Sequence, residues 1–507
     1  MKRIFFLFTI LYFAAITPAL CQQITYSEVI KEDSRKINFE ILGNFGGNYL
    51  IYKNINRKHY ITVYDREMQI VDNVKLDFIS EKTFNLDFVS YPDYFFIIYQ
   101  YQKKNIIYCD AAKMSSTGQL IGQIINLDTT KTNLFANNKI YYLTNSEDRQ
   151  KILLYKMQPK NDEISLTTKL FNSSLQILDS TRNLYPFNDR KETYDDLQVG
   201  NDGTFLFAKE TGNGRNDYTR KLEINYRKPN TPSFISNEIL LDDKYIEDVK
   251  IKIDNLNNQY IVNSFSYKKN FGNIEGLFTV IINSNDFAVT KKAITLFDDS
   301  IRTRLSDKTN WRTAFNDFAF RNVILKKDGG FLLTTEEYFT QTRNTRWNSR
   351  DYYYNPYNFT PGYYSFQRDY YGYYRDPYRN SNQDIIYNYN DILIFSFDKD
   401  LRPQWNNIIN KKTSDLESDN FLSFSTMNLG AEIHYLFLQK DKNKQLISDH
   451  ALQPGGQIKR YPTIKTGESG YDFMPRLAKQ VGARQVIVPC TLRNNIAFAK
   501  IDFSNIL

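Results

Sequence analysis

The stretch FAFRNVILKKDGGFLLTTEEYFT at Phe318–Thr340, taken up again as DILIFSFDKDLRPQWNNIIN at Asp391–Asn410, decides the fold. Its apolar runs RNVIL, GFLLTT, DILIFSFD and QWNNII are five to eight residues long, which suits strands and is short for helices. Lys-Asp-Gly-Gly at 327–330 and Asp-Lys-Asp at 398–400 separate them, and turn residues of this kind join antiparallel neighbours.

Working outward, YDDLQVGNDGTFLFAKE at Tyr194–Glu210 repeats the same order of strand, Asn-Asp-Gly turn and strand. Plainer copies are read at 37–76, 85–127, 133–170, 246–297, 421–464 and 471–503, the third of them short. The last copy stops one strand early, while Ile24–Lys31 (ITYSEVIK) alternates like a strand and has no partner nearby. Units of four strands joined without clear helices predict an all-β chain folded as a single β-propeller. Eight blades are favoured, seven if the short third unit merges with a neighbour. Pairing the N- and C-terminal strands would close the ring and remove an open sheet edge.

The chain has 507 residues, 41% hydrophobic and 24% charged, enough for one large closed domain. Met1 to Cys21 carries Lys2 and Arg3, the apolar run IFFLFTILYFAAI and Ala19-Leu20-Cys21, the layout of a secretory signal. The domain reading is therefore 1–21 signal peptide, 22–507 propeller, and 341–384 an insertion loop inside the sixth blade. Cys21 also opens a lipoprotein reading, which Leu20 before it disfavours because that site wants a small residue. No later run is long and apolar enough for a spanning helix. Only Cys109 and Cys490 follow Cys21, so there is no disulfide framework, and two buried thiols are favoured over one bridge. Of the net charge of +8, Lys2 and Arg3 supply two, leaving +6, a weak basic excess that gives no reason to expect nucleic acid.

No catalytic constellation stands out. His59 lies in the first unit and His434 and His450 in the unit at 421–464, none with a neighbouring Cys or His, so no metal and no cofactor is expected. Asp202, Asp328, Asp398 and Asp400 sit in turns, where Asp bonds its own backbone, and turn chemistry is preferred over calcium ligation or a paired-acid hydrolase. Carboxylates from different blades can still meet at a propeller's centre. Nucleophile-elbow, P-loop and dinucleotide fingerprints are absent from the sequence.

The insertion differs in kind. Thr334–Asp384 holds no Ala, Val, Ile, Leu or Met, and eleven tyrosines crowd into Asp351–Arg379: Tyr352, Tyr353, Tyr354, Tyr357, Tyr363, Tyr364, Tyr370, Tyr371, Tyr373, Tyr374 and Tyr378. Arg343, Arg346, Arg350, Arg368, Arg375 and Arg379 punctuate it without a single Lys, together with Trp347. Lacking aliphatics, it builds no core of its own, and Tyr, Trp and Arg are the residues that dominate binding hot spots. It is the candidate contact loop.

The leader ending in Gln22-Gln23, the pair YNYNDILIFSFDKDLRPQWNNII and the later SDNFLSFSTMNLGAEIHYLF together resemble uncharacterised secreted β-propeller-like proteins of Bacteroidota. The resemblance implies export to the periplasm or an outer-membrane-associated place. The last residues finish a blade and carry no evident sorting domain, which favours a resident of the envelope over a released enzyme. Two function classes follow. One is a non-enzymatic binding scaffold for an envelope or outer-membrane protein, an accessory or plug of a transporter or export channel. The other is a carbohydrate-active or other hydrolase with acids converging from several blades, which would make a glycan the partner.

Overall fold

The computed structural model describes residues 23–32, 37–132, 139–214, 217–306, 317–342, 345–348, 385–416, 419–441, 444–464 and 470–504. After β1 (Gln23–Tyr26), the first blade is β2 (Ile37–Phe45), β3 (Asn48–Ile55), β4 (Lys58–Tyr64) and β5 (Ile70–Lys75). The second is β6 (Thr83–Ser90), β7 (Tyr94–Lys103), β8 (Ile106–Ser115) and β9 (Ile125–Lys131). The third is β10 (Tyr142–Asn145), β11 (Lys151–Lys160), β12 (Glu163–Asn172) and β13 (Ile177–Pro186). Blade four comprises β14 (Glu192–Val199), β15 (Phe205–Thr211), β16 (Lys221–Arg227) and β17 (Ile235–Ile239). Blade five comprises β18 (Tyr245–Asp254), β19 (Gln259–Tyr267), β20 (Ile274–Asn283) and β21 (Val289–Leu296).

One helix, α1 (Asp299–Ser306), leads to blade six. That blade holds β22 (Phe318–Leu325), β23 (Phe331–Thr342), β24 (Thr345–Asn348), β25 (Ile385–Phe397), β26 (Pro403–Ile409) and β27 (Thr413–Leu416). Blade seven is β28 (Phe424–Asn428), β29 (Ile433–Asp441), β30 (Lys444–Leu452) and β31 (Ile458–Arg460). The eighth sheet combines β32 (Tyr471–Phe473), β33 (Lys479–Gly482), β34 (Gln485–Leu492) and β35 (Asn495–Asp502) with β1.

The protein is thus an all-β propeller of eight blades. Apolar clusters fill the seams between successive blades. The seam between blades one and two includes Leu50, Ile61, Phe95 and Ile97; the seam between eight and one joins Ile51 and Tyr64 to Ile487 and Phe498. A seam also lies between blades seven and eight, with Leu436 against Val488. Burial of this kind, at about 25 cal/mol per Å² of apolar surface, holds together blades whose strands form separate sheets.

Closure is by the terminal strands. Gln23 faces Asp502 and Tyr26 faces Ala499 in antiparallel register. The pairing runs on beyond β1: Ser27 N donates to Phe498 O at 2.8 Å and Ile30 N to Ile496 O at 2.8 Å. Cys109 and Cys490 are free and buried, in blades two and eight.

Two expectations need correction. The third unit extends past Leu170 to a fourth strand, β13, whose alternating exposed residues leave it little apolar signal. The connection from blade five to blade six is helical: Asp298 Oδ1 accepts from Ile301 N at 2.8 Å, and Ile301 and Leu305 pack into the seam.

In each blade the first strand lines the ring and the fourth is outermost and exposed, as in β5. Links between second and third strands, and from one blade to the next, therefore fall on one face. The insertion joins β23 to β25, a link of this class, so that face is called the insertion face.

Candidate functional site: the inner charge ring below the insertion

Of the contact-loop residues, Arg343, Arg350, Tyr352, Tyr353, Tyr354, Tyr357, Tyr363, Tyr364, Arg368, Tyr370, Tyr371, Tyr373, Tyr374, Arg375, Tyr378 and Arg379 lie outside the described residues. Trp347 belongs to β24, opposite Thr340 of β23, so the second strand of blade six turns back as a hairpin at the insertion's start.

Beneath that hairpin lies a charge network that the sequence reading missed. Glu336, on β23 and fully buried, receives Arg321 Nε at 2.7 Å and Ser423 Oγ at 2.7 Å on Oε2, while Lys411 Nζ stands 2.6 Å from Oε1. Burial pushes the Glu336 carboxyl up, but Lys411 and Arg321 more than offset it and hold the group below its ordinary value. Tyr338 and Tyr389 face each other across β23 and β25, their rings 4.6 Å apart, with the Arg321 guanidinium 5.9 and 5.5 Å from the two ring centres. Tyr389 OH donates to Asp419 Oδ2 at 2.8 Å and accepts from Arg476 Nη1 at 3.1 Å, and Arg476 also pairs with Asp419. The network thus ties blade six to the link into blade seven and to blade eight.

A second cluster spans blades four to six. The inner strands β14 and β18 carry bulges, at Asp195/Gln198 and Glu247/Lys250, that place Asp196 and Asp248 at φ of 52° and 59°. Asp is among the few non-glycine residues that adopt this region readily. The bulges turn both carboxylates toward the next blade: Asp196 accepts from Ile251 N, and Asp248 Oδ2 from Phe320 N at 2.9 Å.

Lys250 Nζ pairs with Asp248 Oδ1 at 3.2 Å. Burial pulls the Lys250 amine down, yet Asp248, Asp195 and Asp196 together raise it well above its ordinary value. Burial in turn lifts Asp196 to about 6 against the pull of Lys250.

Glu210, near the end of β15, is only 8% exposed and accepts from Thr219 Oγ1 at 2.7 Å. Burial, with Asp195 adding to it, pushes its carboxyl up to about 8. It forms part of a depression on the insertion face, with Thr193, Gly212, Asp217 and Thr219 in the same wall. Glu210 and Glu336 are each the sixth residue of their strand after matching Asn-Asp-Gly and Asp-Gly-Gly turns. That internal match was the one sequence signal able to find them.

The turn acids act as turn acids. Asp202 Oδ1 accepts from Thr204 N at 2.9 Å, Asp328 Oδ1 from Gly330 N at 3.0 Å and Asp398 Oδ1 from Asp400 N at 2.8 Å; Asp400 also pairs with Lys291 at 2.7 Å. The histidines are strand residues, His59 on β4 of blade one and His434 and His450 on the paired strands β29 and β30 of blade seven. His59 Nδ1 is 2.6 Å from Tyr52 OH, His434 Nδ1 is 2.7 Å from Asp449, and His450 packs on Phe437. Burial holds His59 down at about 4, so it stays neutral.

No family model matches the chain, and no curated protein does. Solved structures similar to it include prolyl oligopeptidase B from Galerina marginata, at 9% identity over 90% of this chain and 55% of that one, TM-score 0.40. Polysaccharide lyase Uly1 matches at 9% identity over 82% and 89% of the two chains, TM-score 0.37. The β-propeller domain of the Trilobed protease from Pyrococcus furiosus matches at 10% over 86% and 97%, TM-score 0.35. The chain spans about half the length of the prolyl endopeptidases it matches, 54% and 55% in two of them.

Proposed function

We propose that the protein is a non-enzymatic binding scaffold of the cell envelope, whose contact surface is the insertion face and whose partner is an envelope or outer-membrane protein. The observation that carries this reading is the base of the insertion. Tyr338 and Tyr389, on the two strands that bear it, are clamped by Arg321, Asp419 and Arg476 to their own blade, to the link into blade seven and to blade eight. A contact loop gains affinity when its anchor points are preorganised, because less ordering entropy is lost on binding. The inner carboxylates Asp196, Asp248 and Glu336 are engaged in joining blades or in ion pairs, which supports structural work for them.

The test replaces residues 349–384 by a short Gly/Ser linker and compares proteins captured by tagged parent and variant from the native envelope. Loss of specific partners with an unchanged melting temperature supports the scaffold; an unchanged partner set overturns it. Glu210 favours a second reading, a hydrolase in which this protonated carboxyl is the proton donor in the depression. Turnover of a glycan panel that Glu210→Gln abolishes without unfolding would establish it.

A further inference from the structure

The face opposite the insertion carries an uncovered aliphatic rim. Fourth strands start on that face, and in blades one to five their first residues are exposed and apolar: Ile70 at 44%, followed by Val71 at 58%, then Ile125 at 43%, Ile177 at 59%, Ile235 at 55% and Val289 at 45%. Leu256, in the turn between the first two strands of blade five, adds to the same face at 70%. Among the described residues, no large hydrophobic side chain is exposed at the corresponding rim of blades six to eight. An apolar crescent on five consecutive blades exceeds the scattered exposure normal for a soluble surface.

The chain's own connectivity says what lies beneath it. β1 is the outermost strand of blade eight, so Gln23, its first residue, sits on this same face beside the blade-one end of the crescent. Residues 1–22, with the apolar run Ile4–Ile16 and Cys21 two positions before β1, join the propeller there. A leader or acyl chain attached at that point brings this face, and not the insertion face, toward a bilayer. The crescent residues named here are all Val, Ile or Leu, with none of the aromatic side chains that anchor protein interfaces among them. The nearby turns are acidic on balance, with Asp65, Glu67, Asp93, Asp148 and Asp286 against Arg66 and Arg149, which disfavours anionic headgroups.

We propose that this rim is a docking surface for a lipid bilayer with zwitterionic headgroups, laying the propeller flat on the membrane with its insertion face turned away. The proposal is independent of the scaffold reading, since an enzyme would dock in the same way.

The experiment uses the full chain processed by an exporting host, with Cys21→Ser in every sample so that no acyl chain contributes, and flotation with phosphatidylcholine vesicles. The parent should float, and the triple variant Val71→Glu, Ile177→Glu, Ile235→Glu should lose roughly tenfold in bound fraction with an unchanged melting temperature. Leu184→Glu with Leu240→Glu, exposed at the opposite end of their blades, should float like the parent. Equal flotation of the triple variant and parent overturns the proposal. So does a parent that fails to float, or one whose rim is buried in a dimer that the same substitutions dissociate.

Discussion

Glu210 and Glu336 hold the same place in blades four and six, yet their carboxyls shift in opposite directions: Glu210 rises to about 8 and Glu336 falls. Both are buried, so the difference lies in what each meets. Glu210 finds a hydroxyl, Thr219, with Asp195 nearby; Glu336 finds Lys411 and Arg321. One repeat position has become a proton-holding group in one blade and the centre of an ion cluster in another.

Glu210 therefore makes stability pH-dependent. Its folded pKa lies above the unfolded value of 4.5, so its contribution is fully present below about pH 4.5 and is lost as pH rises through about 8. Glu210→Gln keeps the Thr219 hydrogen bond without the proton. The melting temperature of the parent should fall relative to the variant across that window, with a difference of at most roughly 5 kcal/mol above pH 8. Parallel melting curves from pH 4 to 9 would contradict this account.

Glu336 faces two buried cations. Glu336→Ala takes from Lys411 and Arg321 the carboxylate they share and should cost about 3–5 kcal/mol in urea unfolding. Thr413→Ser, which keeps the hydroxyl that donates to Tyr389 O at 2.6 Å, serves as the control and should cost under about 1 kcal/mol. A Glu336→Ala protein as stable as the parent would mean that solvent reaches both cations.

The sequence carried the ring but not its charges. Strand runs separated by Gly46-Gly47, Asn201-Asp202-Gly203 and Lys327-Asp328-Gly329 are local signals, and they marked eight units, the third of them short, and the lone N-terminal strand. β13 escaped because an outermost strand such as ILDSTRNLYP buries little and so shows no apolar run. Asp196 and Asp248 escaped because a bulge is a register event between two strands, and YDDLQV looks like any polar-studded strand. Lys411 and Glu336 are far apart in the chain and meet only through the third dimension. The insertion was legible as composition, whereas the clamp of Tyr338 and Tyr389 beneath it was not.

Lys53 is a buried amine with no counter-ion in contact among the described residues. Burial brings it down to about 7 while its Nζ donates to Tyr64 OH at 2.6 Å, in the seam that joins blades one and eight. Because the folded pKa is below the unfolded 10.5, the burial penalty is full below about pH 7 and disappears as pH rises to 10.5. Lys53→Met should therefore raise stability at pH 7 by a few kcal/mol, with about 5 as the upper bound, and the gain should shrink toward pH 10. A destabilised variant at pH 7 would show that the hydrogen bond to Tyr64 outweighs the cost of burying the amine.

The closing strand is the part of the fold with the least redundancy. β1 supplies the fourth strand of blade eight, and Tyr26 stacks on Tyr471 with ring centres 4.4 Å apart, while Ile24 packs against the seam between blades seven and eight. Deleting residues 23–31 strips β35 of its outer partner and leaves a row of unpaired backbone groups at a sheet edge, the template on which strands of other molecules add. The loss of two half-buried side chains and their ladder is expected to cost on the order of 3 kcal/mol or more. The truncated protein should melt earlier than the parent and self-associate in light scattering as concentration rises. Lys500→Pro in the full chain is a second way to break the same ladder, because Lys500 pairs with Thr25 and proline has no amide to donate. A truncation that stays monomeric with an unchanged melting temperature would show that the seams alone close the ring.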